Sequence, residues 1–288
     1  MKILTILLPL YNDWKSLYQL LYKINNQFKN KLYKIKIIVV NDNSSEKYII
    51  RKKNYKNINS IKIINLKKNV GNQKAIYVGL NHILNKNKQN GIIIVMDADG
   101  EDDQSKLKLL IKKVEKESDF IIFVKRSKRL ETFLLRILNQ FRLLVTLILT
   151  GNYMNFGNYS AFESKHLKKL LSNKNLSIAY CSGVLKNFKN VDFIYAKKKK
   201  RYFGVSKANF SFLIKHSLNL ISLFYKRIFF ISLILNFIYF GIIFENSFFD
   251  IALITSSLLF NIMVIINYYK NIFEYQALSL IKNIKQIY

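Results

Sequence analysis

Apolar and polar positions follow two rhythms along the first part of the chain. Residues 3–8, 35–40, 61–66, 92–96 and 120–124 are short, largely apolar runs rich in Ile, Val and Leu, as expected of strands buried on both faces. Between them Trp14, Leu17, Leu21, Ile24 and Phe28 recur at intervals of three and four, as one helix face requires. Ile76, Leu80, Ile83 and Leu84 mark a second such face, and Leu107, Leu110, Ile111 and Val114 a third. Strands and helices alternating with short connections predict an α/β fold: a mostly parallel sheet covered on both faces, with right-handed crossovers. Residues 3–8 are too few for a signal peptide and run straight into Pro9, so they are read as the first strand.

In a sheet of this kind ligands bind beyond the carboxyl ends of the strands, and the polar residues fall there. The first run ends in Pro9-Leu10-Tyr11-Asn12-Asp13, the second in Asn41-Asp42-Asn43-Ser44-Ser45, and the third in Asn69-Val70-Gly71-Asn72-Gln73. The fourth stops at five acidic side chains, Asp97, Asp99, Glu101, Asp102 and Asp103. Positions two apart share one face of a strand, so Asp97 and Asp99 can aim together at a hard divalent cation. Mg²⁺ is normally held by one or two carboxylates plus substrate phosphates, which makes a nucleotide diphosphate the first ligand to consider. The plainer reading is a set of turns and helix caps, with acidic residues complementing a helix N-terminus. That accounts for Asp102 and Asp103 but not for the buried approach to Asp97. Asp42 could accept from a base N–H, and Gly71 would let backbone approach a ligand closely.

Composition changes this picture little. The chain has 288 residues, with 47 Lys and Arg against 17 Asp and Glu, a net charge of +30 that at face value points to nucleic acid. The excess is mostly Lys and comes with heavy Ile, Asn and Tyr use and a single proline, Pro9, as an AT-rich genome would produce by itself. No nucleic-acid partner is expected. One cysteine, Cys181, rules out an intrachain disulfide, and the three histidines, His82, His166 and His216, have no zinc-binding spacing.

Pro9-Leu10-Tyr11-Asn12, Val40-Asn41-Asp42-Asn43-Ser44, Asn69-Val70-Gly71 and Met96-Asp97-Ala98-Asp99 together resemble the successive motifs of family 2 glycosyltransferases, whose nucleotide-sugar-binding, Rossmann-like α/β fold is called GT-A. The resemblance implies a nucleotide-sugar site at Pro9, Tyr11, Asn12, Asp42, Asn69, Gly71, Asp97 and Ala98, with Asp42 meeting the base and Asp97 near ribose and diphosphate. It implies Mg²⁺ or Mn²⁺ at Asp99; Asp97, on the same strand face, and Glu101, a carboxylate where the family pattern has Gln, are the further candidate ligands. Relatives that glycosylate polyprenyl phosphates continue Asp-Ala-Asp-Leu-Gln-Asp-Pro-Pro, whereas this chain has Gly100, Glu101 and Asp103 in place of Leu, Gln and the first Pro. Asn155-Phe156-Gly157-Asn158-Tyr159-Ser160 resembles the family's acceptor motif, in whose better-known branch an acidic residue stands near Asn158. An amide cannot act as a general base, and a sugar hydroxyl would need one. A lipid phosphate, with a second pKa of about 6, needs none. Asn158 therefore favours a phosphate acceptor, or leaves the base to Asp102 or Asp103.

The rest of the chain is basic and then apolar. Residues 125–129, Lys-Arg-Ser-Lys-Arg, follow the fifth strand, where Arg126 and Arg129 could meet phosphate. Residues 130–149 are apolar nearly all round, interrupted by Arg136 and Arg142, and end at Thr150-Gly151, a good C-cap. They are read as a core helix or one lying in a membrane surface. Residues 196–207 resemble the basic loop of polyprenyl-phosphate glycosyltransferases, with Arg201 and Lys207 bridging diphosphate and lipid phosphate. Phe210, Leu213, Ile214, Leu218, Ile221 and Phe224 then make the apolar face of an interfacial helix. Residues 228–244 and 251–266 approach the roughly 17 to 25 residues of a spanning helix. Lys226, Arg227 and Lys270 flank them outside and Glu245 and Asp250 at the turn, predicting a hairpin with both ends cytoplasmic, tied by Asn236 and Asn261.

The expected organisation is a catalytic domain over 1–208, a membrane-surface helix over 209–226, a transmembrane hairpin over 227–269 and a basic tail over 270–288 that returns as a short helix. The expected activity is inverting transfer of a sugar from a nucleotide diphosphate sugar, with UDP as the nucleotide, to a polyprenyl phosphate at the cytoplasmic membrane face. Asp99, Asp102, Asn158 and Arg201 are the catalytic candidates, and Arg126, Arg129, Arg201 and Lys207 the acceptor-phosphate candidates. Direct glycosylation of a polysaccharide or lipid-linked saccharide is the alternative within the class. Outside it stands a basic nucleic-acid or membrane-binding protein without activity. A homo-oligomer is compatible with either.

Overall fold

The computed structural model describes residues 2–29, 32–48, 55–86, 91–127, 133–204, 210–242, 247–273 and 277–287. In chain order they form β1 (Lys2–Leu10), α1 (Trp14–Gln27), β2 (Tyr33–Asn41), β3 (Ser60–Leu66), α2 (Asn72–Lys86) and β4 (Gly91–Val95). Next come α3 (Leu107–Lys116), β5 (Ile121–Arg126), α4 (Phe133–Thr150), β6 (Phe156–Glu163), α5 (Leu167–Leu170), α6 (Asn175–Ile178), α7 (Tyr180–Asn187) and β7 (Val191–Ala196). The chain closes with α8 (Phe210–Ser222), α9 (Tyr225–Ile242), α10 (Phe248–Phe273) and β8 (Ile281–Gln286). The five strands and three helices read from periodicity are all present.

Two compact units emerge, neither continuous in sequence: residues 1–130, 155–207 and 276–288 make one, and residues 131–154 and 208–275 the other. In the first, the described residues form an eight-stranded sheet of order β7-β5-β6-β4-β1-β2-β3-β8. The centre is parallel, β4 beside β1 beside β2 beside β3, while β6 runs antiparallel between β4 and β5 and β8 antiparallel along β3. Alternation along each strand separates two cores. Leu4, Ile6 and Leu8 pack with α1 and α3 on one face, and Leu7, Val40 and Ile93 with α2 and the helices after β6 on the other. Helix α2 lies so close that a Cβ at Gly79 would come 2.4 Å from Leu7 Cδ1.

One expectation is overturned here. The tail beyond residue 276 is not a surface helix: a 3₁₀ turn (Ala277–Leu280) leads into β8. The reason is pairing, since β3 would otherwise end the sheet with an open edge that β8 covers from Lys62↔Gln286 to Leu66↔Ile281.

In the second unit α4 ends as its Thr-Gly signal predicts, with Gly151 at φ +74° and its N–H donating to Leu147 at 2.8 Å. Leu143 and Thr146 are buried there, whereas Ile137, Phe141, Leu144 and Ile148 form an exposed apolar stripe. Helices α9 and α10 are both long and apolar enough to cross a membrane, and only 6% and 17% of their most apolar windows is buried. Asn236 and Asn261 do not bond each other. Asn236 donates to Ser257 at 3.1 Å and Asn261 to Ser232 at 2.6 Å, so each amide finds a hydroxyl on the facing helix.

Candidate active site

The carboxyl ends of β1, β2, β3 and β4 meet at one edge, where each loop is tied to the next by side chains the sequence supplies. Asn12, at φ +47°, accepts from Ser45 N–H at 2.9 Å, while its own N–H donates to Ser44 Oγ at 2.8 Å. This joins the loop after β1 to the loop after β2. Asp42, 3% exposed, accepts from Val70 N–H at 2.7 Å and Gly71 N–H at 2.8 Å, one bond on each oxygen, joining that loop to the one after β3. Burial pushes the Asp42 carboxyl up, against the pull of those two amides. Gly71, at φ +87°, takes a backbone shape that side chains resist. Asn69 and Tyr11 are exposed at this edge, Pro9 lies in β1 opposite Val40, and Ala98 points into the core.

The acidic loop follows β4. Asp97 Oδ1 accepts from Asn72 Nδ2 at 3.0 Å and Asn158 Nδ2 at 3.5 Å, and the Asp97 N–H donates to Asp102 Oδ2 at 2.9 Å. Asp99 accepts from Glu101 N–H at 2.9 Å and faces Arg201 Nη1 at 3.2 Å, and Arg201 also pairs with Asp13. Burial first, then the charge of Asp97, pushes the Asp99 carboxyl up to about 6 and that of Asp102 up to about 8. Asp103 goes the other way. Against its burial, Lys199 at 2.9 Å and the N–H and hydroxyl of Ser105 hold it low.

The basic segment lies directly on this loop. Lys199 N–H donates to Glu101 O and Tyr202 N–H to Asp99 O, both at 3.0 Å. Lys198 pairs with Glu101 at 2.7 Å. Tyr202 packs its ring over Gly100, where a Cβ would come 2.5 Å from it, donates to Gln104 at 3.2 Å, and carries Lys23 above its ring at 4.2 Å. Gly100, the departure from the Leu of the resembling pattern, thus makes room for an aromatic ring.

Among the described residues no three His, Cys, Asp or Glu side chains gather to hold a metal. The trio of Asp97, Asp99 and Glu101 does not assemble, because Glu101 turns to Lys198. Asp97 and Asp99 still suit a hard cation: both are carboxylates, and the charge of one raises the pKa of the other, a repulsion that a cation would relieve. The η-nitrogens of Arg201 are committed to Asp13 and Asp99, and its buried Nε has no partner. Arg126 lies beside Gly157, near enough for its charge to act on Asp102. Arg129 and Lys207 lie outside the described residues.

Sequence reasoning passed over Gln73. Its Oε1 accepts from Tyr180 N–H at 2.6 Å and its Nε2 donates to Asn158 Oδ1 at 3.2 Å. A backbone N–H can only donate, which fixes the order of amides through to Asp97: Asn158 is a donor to that carboxylate. Position at the very start of α2, straight after Gly71, was the available signal for both Asn72 and Gln73. Asp13 heads α1 but makes no side-chain capping bond, being drawn instead to Arg201.

The model of the family "Glycosyl transferase family 2" matches residues 5–191. The chain is 26% identical over 217 residues to the "Uncharacterized glycosyltransferase YkoT" of Bacillus subtilis, covering 71% of this chain and 62% of that one. It is 28% identical over 131 residues to the "Uncharacterized glycosyltransferase sll0501" of Synechocystis, covering 45% of this chain and 40% of that one. It therefore spans 40% to 62% of the length of these curated relatives. Among solved structures, Staphylococcus aureus TarS 1-349 in complex with UDP-GlcNAc superposes with a TM-score of 0.52 at 16% identity, over 92% of this chain and 82% of that one. Glucosyl-3-phosphoglycerate synthase from Mycobacterium tuberculosis with Mg²⁺ and UDP gives 0.54 at 11% identity, over 78% and 79%. At these identities the likeness establishes the fold.

Proposed function

Because the chain belongs to glycosyl transferase family 2, we propose that it moves a sugar, with inversion, from a nucleotide diphosphate sugar to a polyprenyl phosphate at the cytoplasmic face of a membrane. UDP as the nucleotide is supported by the solved neighbours that hold UDP or UDP-GlcNAc. The observation that carries the acceptor class is the amide of Asn158, bound as a donor toward Asp97 and fixed there by Gln73. A residue held that way takes no proton from a sugar hydroxyl, whereas a phosphate monoester arrives as an oxyanion. Helices α9 and α10 support a membrane-borne acceptor.

In this reading the loops pinned by Asn12 and Asp42 receive the nucleoside. Asp97 and Asp99 would hold Mg²⁺ or Mn²⁺, which would supply charge neutralisation on the departing diphosphate. Arg126, and Arg201 once drawn from Asp99, hold phosphate oxygens by charge-assisted hydrogen bonds. One acceptor oxygen forms the new bond to the anomeric carbon while the bond from that carbon to the diphosphate breaks, and the nucleoside diphosphate departs. One observation favours a saccharide hydroxyl instead: with its pKa pushed up to about 8, Asp102 in its ionised form is a stronger base than an ordinary carboxylate and could take the proton of an acceptor hydroxyl.

The test is incubation of membranes carrying the protein with labelled UDP-sugars, followed by lipid extraction. Label in polyprenyl phosphate sugar supports the proposal; label only in saccharide favours the second reading. Full turnover by Asp99→Ala would overturn the metal assignment.

A further inference from the structure

The nucleoside edge of the site is braced from the far end of the chain. Asn41, Asn65 and Asn283 stand at the carboxyl ends of β2 and β3 and in β8, with Asn41 paired to Asn65 and Asn65 to Asn283 in the strand register. Their side chains form one file across three strands. Asn41 Nδ2 donates to Asn65 Oδ1 at 2.7 Å, and Asn65 Nδ2 donates to Asn283 Oδ1 at 2.7 Å. The file starts at Ser44, whose N–H donates to Asn41 Oδ1 at 3.0 Å. Since that N–H can only donate, it sets the orientation of every amide in the row, and Asn283 must present its oxygen. Ser44 is the residue whose hydroxyl receives Asn12 N–H. The tail makes a second contact with the same loop, Lys285 Nζ lying 5.5 Å above the ring of Tyr48, which stacks on Trp14 at 4.2 Å.

We propose that Asn283 is a positioning residue for the nucleotide donor: through Asn65 and Asn41 it holds the turn at residues 41–45, so that the last strand of the chain is part of the donor site. This rests on the reading that this turn receives the nucleoside. Loss of one acceptor from the file leaves Asn65 free to turn and slackens the turn, which weakens nucleotide binding without touching the reacting atoms.

The experiment compares the full chain in detergent with its Asn283→Ala and Asn283→Asp variants, since Asp keeps an oxygen where Asn65 donates. UDP affinity is measured by calorimetry, donor KM and kcat by turnover, and amide hydrogen exchange at residues 43–46 by mass spectrometry. Asn283→Ala is expected to weaken UDP binding and raise donor KM by roughly threefold to tenfold, the size of one hydrogen bond. Exchange at residues 43–46 should speed up while kcat stays unchanged, and Asn283→Asp should behave as the parent. Unchanged exchange and affinity in Asn283→Ala, or an equal loss in both variants, would overturn the inference. A parent chain that binds neither UDP nor GDP would overturn the donor reading instead, and exchange would still decide whether Asn283 holds the turn.

Discussion

Gly100→Ala isolates the contact between the acidic loop and the basic segment. Gly100 has φ +89°, and a Cβ there would lie 2.5, 2.5 and 2.7 Å from three atoms of the Tyr202 ring, where ordinary carbon contacts are about 3.5 to 4.0 Å. Left-handed backbone alone costs an alanine about 1–2 kcal/mol. The ring must also retreat by about 1 Å, which strains or breaks the Tyr202 N–H bond to Asp99 O and the Tyr202 hydroxyl bond to Gln104. Overpacking and those losses add about 1–3 kcal/mol. Gly204 is the internal control, because its φ of +69° carries the backbone strain with nothing within 4 Å of the added carbon. Thermal unfolding should therefore show Gly100→Ala less stable than Gly204→Ala by about 1–3 kcal/mol, roughly 2–4 °C for each kcal/mol. Transfer activity should fall in Gly100→Ala, because Arg201 precedes the displaced ring. Adding Tyr202→Ala to Gly100→Ala removes the clash, so the double variant should be more stable than the sum of the single costs. Equal costs for Gly100→Ala and Gly204→Ala, or strict additivity in the double variant, would refute the reasoning.

Asp42→Asn should destabilise the chain by about 2–3 kcal/mol in chemical denaturation, because its NH₂ would confront one of the Val70 and Gly71 donors and leave it unsatisfied. UDP affinity should fall with it. His82 is buried, and its burial, with Lys62 and Lys86, holds its pKa below the ordinary value. The unfolded chain then binds the proton more readily, so this contribution is whole above about pH 6.5 and is lost as pH falls through the folded pKa. Denaturation midpoints of the parent should drop between pH 7.5 and pH 5 by more than those of His82→Leu; equal drops would acquit His82. In the hairpin, Asn261→Leu removes the bond to Ser232 and should cost about 0.6–2 kcal/mol in unfolding from lipid bicelles, and no loss there would show the bond to be incidental.

Period and punctuation determined much of this protein before any tertiary contact was considered. Short continuous apolar runs placed β1 to β5, and the three-and-four spacing of Leu107, Leu110, Ile111 and Val114 placed α3, because burial of a strand on both faces and of a helix on one are each written locally in the order of residues. The polar strand ends were equally legible. A parallel sheet offers its ligands a single edge, so Asn12, Asp42, Gly71 and Asp97 had to converge there. What the sequence left open was pairing over long separations. Arg201 meets Asp13 across 188 positions, and Asn65 meets Asn283 across 218. Strand β6 enters the sheet antiparallel between β4 and β5, bringing Asn158 to Asp97, though residues 155–160 carried only a motif and no strand rhythm. Glu101 looked like a metal ligand in the linear order and turns instead to Lys198. Local pattern reports which side of an element is dry. Which charge meets which, and which strand covers the last open edge, is settled only when distant loops close onto one another, since the partners of a buried polar group are chosen by proximity in space.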